Sequence, residues 1–165
     1  MIRGLHHMAF RCRNSEETRA FYEDVVGLPL ATAFEIQTTK TGRPARVLHS
    51  FYELADGSFV AFFEEPGEPF DFKGQRDFDL HLALEADAAG VERAVAAAKA
   101  RGLEVRGPSD HDFIRSIYLR DPNGYVVELT IKEPDHDAFI TRERARAHAV
   151  LANWTQTTTS AVPAG

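Results

Sequence analysis

Apolar and polar residues alternate at period two near the start of the chain, through Gly4-Leu5-His6-His7-Met8-Ala9-Phe10-Arg11, which reads as a short strand. The same pattern returns at Phe78-Asp79-Leu80-His81-Leu82-Ala83-Leu84-Glu85, with a histidine at the matching place. After each strand the period lengthens to that of an amphipathic helix. The first helix begins at Asn14, three residues before Glu17, in a capping-box-like arrangement. It pairs Phe21 with Val25 and Tyr22 with Val26 at i,i+4, and it ends at Gly27-Leu28 with Pro29 blocking continuation. The second begins after Asp87, puts Val91, Ala94, Val95 and Ala98 on one stripe, and ends at Gly102-Leu103. Each half then closes on a hairpin. Residues 47–54 and 58–64 turn at Asp56-Gly57, and residues 114–119 and 125–131 turn at Asp121-Pro122-Asn123-Gly124. The polar stretch Glu35 to Arg46 is either a second strand with a lid-like loop or a flap. A unit repeated in this way dictates a repeated fold.

The pattern divides the chain into a first module over 1–65, a Pro/Gly-rich charged linker over 66–77 and a second module over 78–131. Residues 132–154 are expected to add one helix, with Ala147, Val150, Leu151 and Trp154 on its apolar side. That side is expected to dock on its own module or on a second subunit. Residues 155–165, small and polar, are expected to form a flexible tail.

Composition narrows the function classes. With 165 residues, 44% hydrophobic and 12 Phe, the chain has ample material for one shared core. A net charge of −6 argues against a nucleic-acid surface. No apolar run reaches the roughly 18 residues of a membrane span and no basic-then-apolar leader opens the chain, so a soluble cytoplasmic protein is expected. The single Cys12 rules out an internal disulfide, and its place beside Met8 and Phe10 predicts a buried structural thiol.

Strand alternation supplies the candidate chemistry. His7, Ala9 and Arg11 share one face of the first strand, while His81, Ala83 and Glu85 share a face in the second module. On the last strand Val126, Glu128 and Thr130 lie together, opposite Tyr125, Val127 and Leu129. His7, His81 and Glu128 would therefore point away from the helices into a concave surface. Two histidines and a carboxylate are the donor set of a facial-triad iron site, and zinc and nickel accept them too. His6 points the other way. A Glu between Val127 and Leu129 on a central strand needs a partner, and metal ligation provides one.

These residues carry a resemblance. His-x-Ala-(Phe/Leu) opens both modules, and Asp121-Pro122-Asn123-Gly124-Tyr125-Val126-Val127-Glu128-Leu129 resembles the closing motif of the vicinal oxygen chelate superfamily, whose Glu is a metal ligand. That superfamily holds glyoxalases, extradiol dioxygenases, epimerases and bleomycin resistance proteins. Over residues 4–131 the resemblance implies an α+β fold of two tandem βαβββ modules. These would form a half-open barrel around a metal site, with a C-terminal helix added. It implies a divalent metal on His7, His81 and Glu128, with Fe(II) favoured and Mn, Zn or Ni as alternatives. Homodimers are common among its members.

One departure narrows the reaction. Four residues past Gly124 lies Glu128, but four past Gly57 lies Ala61, where four-ligand glyoxalases and epimerases carry a donor. Glu65 shares that strand face roughly 13 Å further along. A three-ligand site resembles the extradiol dioxygenases, in which a catecholate and O₂ share one Fe(II). Tyr118, ten residues before Glu128, matches a Tyr that binds the substrate hydroxyl in those enzymes, and His111 matches a loop His with an acid/base role. Arg115 is a candidate for orienting an anionic group. His49 is a candidate for lining the cup, and Phe51, Phe59, Phe63 and Phe113 for an apolar wall. The reading is an Fe(II) enzyme acting on a small aromatic vicinal diol with O₂. The alternatives are a metal-dependent isomerase or lyase of glyoxalase or epimerase type, and a non-enzymatic drug-binding resistance protein.

Overall fold

The computed structural model describes residues 1–159. The first module runs β1 (His7–Cys12), α1 (Ser15–Phe21), a π-helical turn (Tyr22–Val26), β2 (Leu30–Thr38), β3 (Pro44–Glu53) and β4 (Phe59–Glu64). The second repeats that order as β5 (His81–Glu85), α2 (Ala88–Ala100), β6 (Arg106–Asp110), β7 (Ile114–Arg120) and β8 (Val126–Lys132). Each module folds into its own mixed four-stranded sheet, ordered β1-β4-β3-β2 and β5-β8-β7-β6. The two βαβββ units of the expected α+β fold are both present, as separate sheets rather than a closed barrel. The stretch from Glu35 to Arg46 resolves as the tip of a long β2–β3 hairpin.

Local chemistry sets the elements. The Asn14 side chain accepts from the Glu17 amide at 2.9 Å, and Asp87 does the same for Gly90 at 2.6 Å, so both helices start on an N-cap. The first helix loosens after Phe21: the Gly27 amide reaches back to the Tyr22 carbonyl, five residues away. This rotates the last turn, so Phe21, Tyr22 and Val25 are buried while Val26 only packs against the core from its edge.

One face of each sheet makes the core. Cys12, Tyr52, Val60 and Phe62 meet Phe21 and Tyr22, while Leu82, Leu84, Val127 and Leu129 meet Ala94 and Ala98. Cys12 is the buried thiol expected, and burial pushes its pKa up. The modules are stitched together on this helix side. Asn123 accepts from the Arg13 amide at 2.8 Å and donates to Thr18 Oγ1 at 3.2 Å. Tyr22 donates to Asp121 at 3.3 Å, and Tyr125 donates to the Arg11 carbonyl at 3.0 Å. The linker lies across the same turn, with the Lys73 amide on the Asn123 carbonyl and Arg120 on the Gln75 carbonyl. Gly124 (φ +97°) is required there, since a Cβ would meet the Gly74 nitrogen at 2.6 Å.

The C-terminal segment departs from the single helix expected. It is two helices, α3 (His136–Arg144) and α4 (Ala147–Thr159). Phe139 of α3 stacks on Phe113 at 4.5 Å, which removes Phe113 from any wall shared with Phe51, Phe59 and Phe63. Residues 147–157 of α4 are all exposed, and Trp154 is 66% exposed, so α4 does not dock on its own module. The helix also runs to Thr159, into the segment expected to be flexible; positions 160–165 of that tail lie outside the described residues.

Asn123 is buried and bridges both modules, so Asn123→Ala strands the Arg13 amide and unlinks Thr18. The expected loss of stability is about 2–4 kcal/mol. Chemical denaturation monitored by circular dichroism checks this, and a change within about 0.5 kcal/mol, as at an ordinary surface site, would contradict the bridging role.

Candidate metal centre

With one face of each sheet on the helices, the other faces are open, and they differ in chemistry. On the first sheet, register sets His7 beside Phe59, Phe51 beside Ala61, His49 beside Phe63 and Phe34 beside His49. These rings form a continuous aromatic surface. His7 lies edge-on to Phe51 at 5.6 Å, Phe34 stacks near Phe51 at 5.8 Å, and His49 stacks on Phe63 at 3.6 Å. Ala61, the position lacking a fourth donor, is 0% exposed beneath this layer. Arg11 and Glu65 end the face as an ion pair at 3.5 Å.

The open face of the second sheet is polar. Glu128 sits on the central strand β8, between Ala83 of β5 and Tyr118 of β7. It is 4% exposed, and its oxygens have two partners. One oxygen accepts from the Tyr118 hydroxyl at 3.3 Å; the other lies 3.1 Å from His81 Nε2. His111 Nε2 lies 2.9 Å from the Tyr118 oxygen. Since the phenol donates its proton to Glu128, His111 must donate to it, giving the chain His111 to Tyr118 to Glu128. Burial, followed by the Glu128 charge, raises the Tyr118 pKa and keeps it a neutral phenol.

His81 is oriented from behind. Its Nδ1 lies 2.7 Å from the Asp77 backbone carbonyl, a group that only accepts, so Nδ1 carries the proton. Nε2 then turns its lone pair toward the Glu128 carboxylate. Two electron-rich atoms 3.1 Å apart call for a shared cation, either a proton or a metal. The donor chemistry therefore fits a divalent ion, and the back-bonded imidazole is how proteins fix a metal-binding histidine. Asp77 is held in turn by Arg106 through two contacts at 3.0 Å, which depresses the Asp77 pKa, and the Arg106 guanidinium lies 5.4 Å from the Tyr118 ring centre.

The structure brings together His81, Glu128, Tyr118 and His111. It does not bring His7 to them. Among the described residues no group of three His, Cys, Asp or Glu side chains lies close enough to hold a metal ion. His7 keeps to its own sheet, with Nδ1 2.8 Å from His6 Nδ1, so one of that pair carries the proton. Arg115 is tied to Glu133 at 2.8 Å and pairs with Ile131, off the open face, so it does not orient a substrate there. Sequence spacing missed Asp77 and Arg106. Asp77 acts through a backbone carbonyl, which no side-chain pattern reveals, while the pairing of Arg106 with Tyr118 needed the register of β6.

Comparison with known proteins follows the same lines. The model of the Glyoxalase/Bleomycin resistance protein/Dioxygenase superfamily matches residues 4–129. Among solved structures, the chain is similar to a glyoxylase/bleomycin resistance protein/dioxygenase domain from Frankia sp., with TM-score 0.64 and 14% identity over 81% of this chain and 100% of that one. It is also similar to a single-residue (Glu to Gln) mutant of the fosfomycin resistance protein FosX from Listeria monocytogenes, complexed with Mn(II) and 1S,2S-dihydroxypropylphosphonic acid, with TM-score 0.60 and 22% identity over 84% and 99%. FosX from Mesorhizobium loti follows at TM-score 0.55 and 25% identity over 84% and 99%. None of the curated proteins matches the chain in sequence. No helix among the described residues is long and apolar enough to cross a membrane.

If Glu128 is a ligand, saturating Zn(II) or Mn(II) at about a hundredfold over Kd raises wild-type stability by roughly 2.7 kcal/mol. Glu128→Gln, which keeps an acceptor for Tyr118 but removes the charge, abolishes that rise. Thermal unfolding with and without metal reads both. A metal-induced rise retained by Glu128→Gln would remove Glu128 from the donor set.

Proposed function

The chain belongs to the Glyoxalase/Bleomycin resistance protein/Dioxygenase superfamily, and from that premise we propose that it is a divalent-metal enzyme acting on a small aromatic vicinal diol, as an extradiol-type dioxygenase using Fe(II) and O₂. His7, His81 and Glu128 hold the metal. Since no third donor joins His81 and Glu128 among the described residues, the reading has His7 supplied by a second copy in a homodimer. The aromatic face of one copy then meets the polar face of the other.

The observation that carries the substrate class is the aromatic surface around His7. A flat apolar ring stacks on Phe51, Phe59 and Phe63, whereas a small polar substrate gains little there. The cations point the same way. On the two open faces Arg11 is paired with Glu65, Arg106 with Asp77 and Lys132 with Glu85, while Arg120 donates to the Gly124 and Gln75 carbonyls. A phosphonate such as the ligand in FosX would compete with Glu65, Asp77 and Glu85 for three of these cations. An isomerase of the four-ligand type would require a donor at Ala61, which has none.

Bound on this set, a divalent cation supplies the Lewis acidity that lowers the pKa of a coordinated hydroxyl, and Fe(II) adds redox chemistry toward O₂. The chain's own residues do the rest. Tyr118 keeps its proton and offers a hydrogen bond beside Glu128. His111, exposed at the tight turn before β7, donates a hydrogen bond to the Tyr118 oxygen and so holds the phenol's proton on the Glu128 side. The Asp77 carbonyl fixes the His81 ring, and Arg106 fixes Asp77.

The test is to load the protein anaerobically with Fe(II), add nitric oxide, and record the EPR spectrum with and without a catechol. A high-spin iron–nitrosyl signal reshaped by catechol is the expected result. Iron that binds and ignores every diol would overturn the diol reading and favour the isomerase or lyase class. Catalysis with Mn(II) or Zn(II) and no need for O₂ would do the same.

A further inference from the structure

Helix α4 carries an apolar stripe that its own chain leaves uncovered. Ala147, Val150, Leu151 and Trp154 follow at i, i+3, i+4 and i+7, and the last three are 52%, 62% and 66% exposed. Trp154 is the chain's one tryptophan. The approach to the stripe is basic. Arg142, Arg144 and Arg146 outnumber Glu143, and α4 itself holds no Asp, Glu, Lys or Arg. Arg144 makes no ion pair among the described residues.

A cleft on the helix side of the first sheet matches the stripe in size and charge. It lies between α1 and the edge strand β2, away from both open faces, and has a volume of about 370 Å³. Buried Ser50 and Tyr52 and half-buried Leu48 form its floor, and exposed Leu30 and Ala33 its side. A cavity of roughly 150 Å³ already takes up benzene, so this one has room for an indole. Arg19, the cation that lines it, is held by Glu16, Glu23 and Asp24. Glu35, paired with Leu48 at the edge of the cleft, makes no ion pair among the described residues. The rim is therefore acidic where the approach to α4 is basic.

We infer that α4 of one copy docks in this cleft of a second copy, with the Trp154 ring seated against Leu30, Ala33 and Leu48 and the Arg142–Arg146 segment facing the acidic rim. Each chain carries both the helix and the cleft, so a two-fold pair makes the contact twice and closes. The stripe is about 20 Å long and about 10 Å wide, so helix and cleft together give each copy a footprint of roughly 400 Å². That is about half of the roughly 800 Å² per partner in a stable dimer, and the open sheet faces are left to supply the rest. The inference shares the homodimer of the reading above and needs neither its metal nor its diol.

A sole tryptophan makes the contact directly readable. The measurement is Trp154 emission and acrylamide quenching across a dilution series of the full chain, with sedimentation velocity on the same samples. Emission is expected to move to shorter wavelength, and quenching to fall several-fold, as the dimer forms. Ala33→Phe fills the cleft from an exposed strand position. It is expected to keep Trp154 in its exposed state and to weaken dimerisation at least about tenfold, with an unchanged circular dichroism spectrum. Trp154→Ala is expected to weaken dimerisation by a similar factor. A dimer whose Trp154 stays as quenchable as in the monomer would overturn the assignment and leave the shared metal site standing. Wild-type docking in Ala33→Phe would overturn it by seating the ring elsewhere. A blue shift complete in the monomer, or seen only with phosphatidylglycerol vesicles, would overturn it by giving α4 to its own chain or to a lipid surface. A monomer at every concentration would overturn it together with the donor set divided between copies. Docking intact in a protein that binds no Zn(II) would support it and overturn the metal reading alone.

Discussion

A carboxylate buried on a central strand is the constraint around which the second module is organised. Glu128 cannot turn to water, because β5 and β7 flank it and it is nearly sealed. Its neighbours divide the task of accommodating its charge. Tyr118 donates one hydrogen bond, and His81, with its other nitrogen committed to the Asp77 carbonyl, sets Nε2 3.1 Å from it. That pair shares a cation, a proton or a metal, and the back-bonded imidazole together with the motif carries the metal reading. The supporting contacts extend outward from the same point, through Asp77 to Arg106 and through Tyr118 to His111.

The duplication makes two sheets of the same topology, and the residues on their open faces make them unlike. One presents rings: Phe34, His49, Phe51, Phe59 and Phe63 around His7. The other presents a hydrogen-bonded relay around Glu128. The first is a surface of packed rings; the second carries a carboxylate, a phenol and two histidines in one hydrogen-bonded group. Joining the modules through the helix side, at Asn123, Thr18 and Tyr22, leaves both faces open.

Most of this was legible in the sequence where period and turn chemistry agree. The alternation through His7 and His81 located β1 and β5, Asp56-Gly57 and Asn123-Gly124 fixed the hairpins, and the parity of Glu128 told which face it shares with Ala83. Three features were hidden for physical reasons. The Phe21–Val26 segment has ordinary helical spacing, and only packing of Tyr22 against Phe62 and Tyr52 shows why the turn loosens there. The extension over 132–154 has one continuous helical pattern, yet it breaks at Ala145 and sends Phe139 to Phe113, a contact across the second module that no local window contains. The separation of His7 from His81 and Glu128 was invisible, because strand parity reports the face of a sheet and not the distance between two sheets.

That separation frames the decisive measurement. In the proposed site His7→Ala and His81→Ala each remove one ligand, so neither variant alone is expected to bind metal tightly. If the donor set is shared between copies, mixing the two variants under conditions that exchange subunits rebuilds one complete site in each mixed dimer. With random pairing about a quarter of the wild-type sites return, read as tightly bound Zn(II) or as the iron–nitrosyl signal. If all three ligands came from a single chain, every chain in the mixture would still lack one. No site would then return, and a donor set divided between two copies would be contradicted.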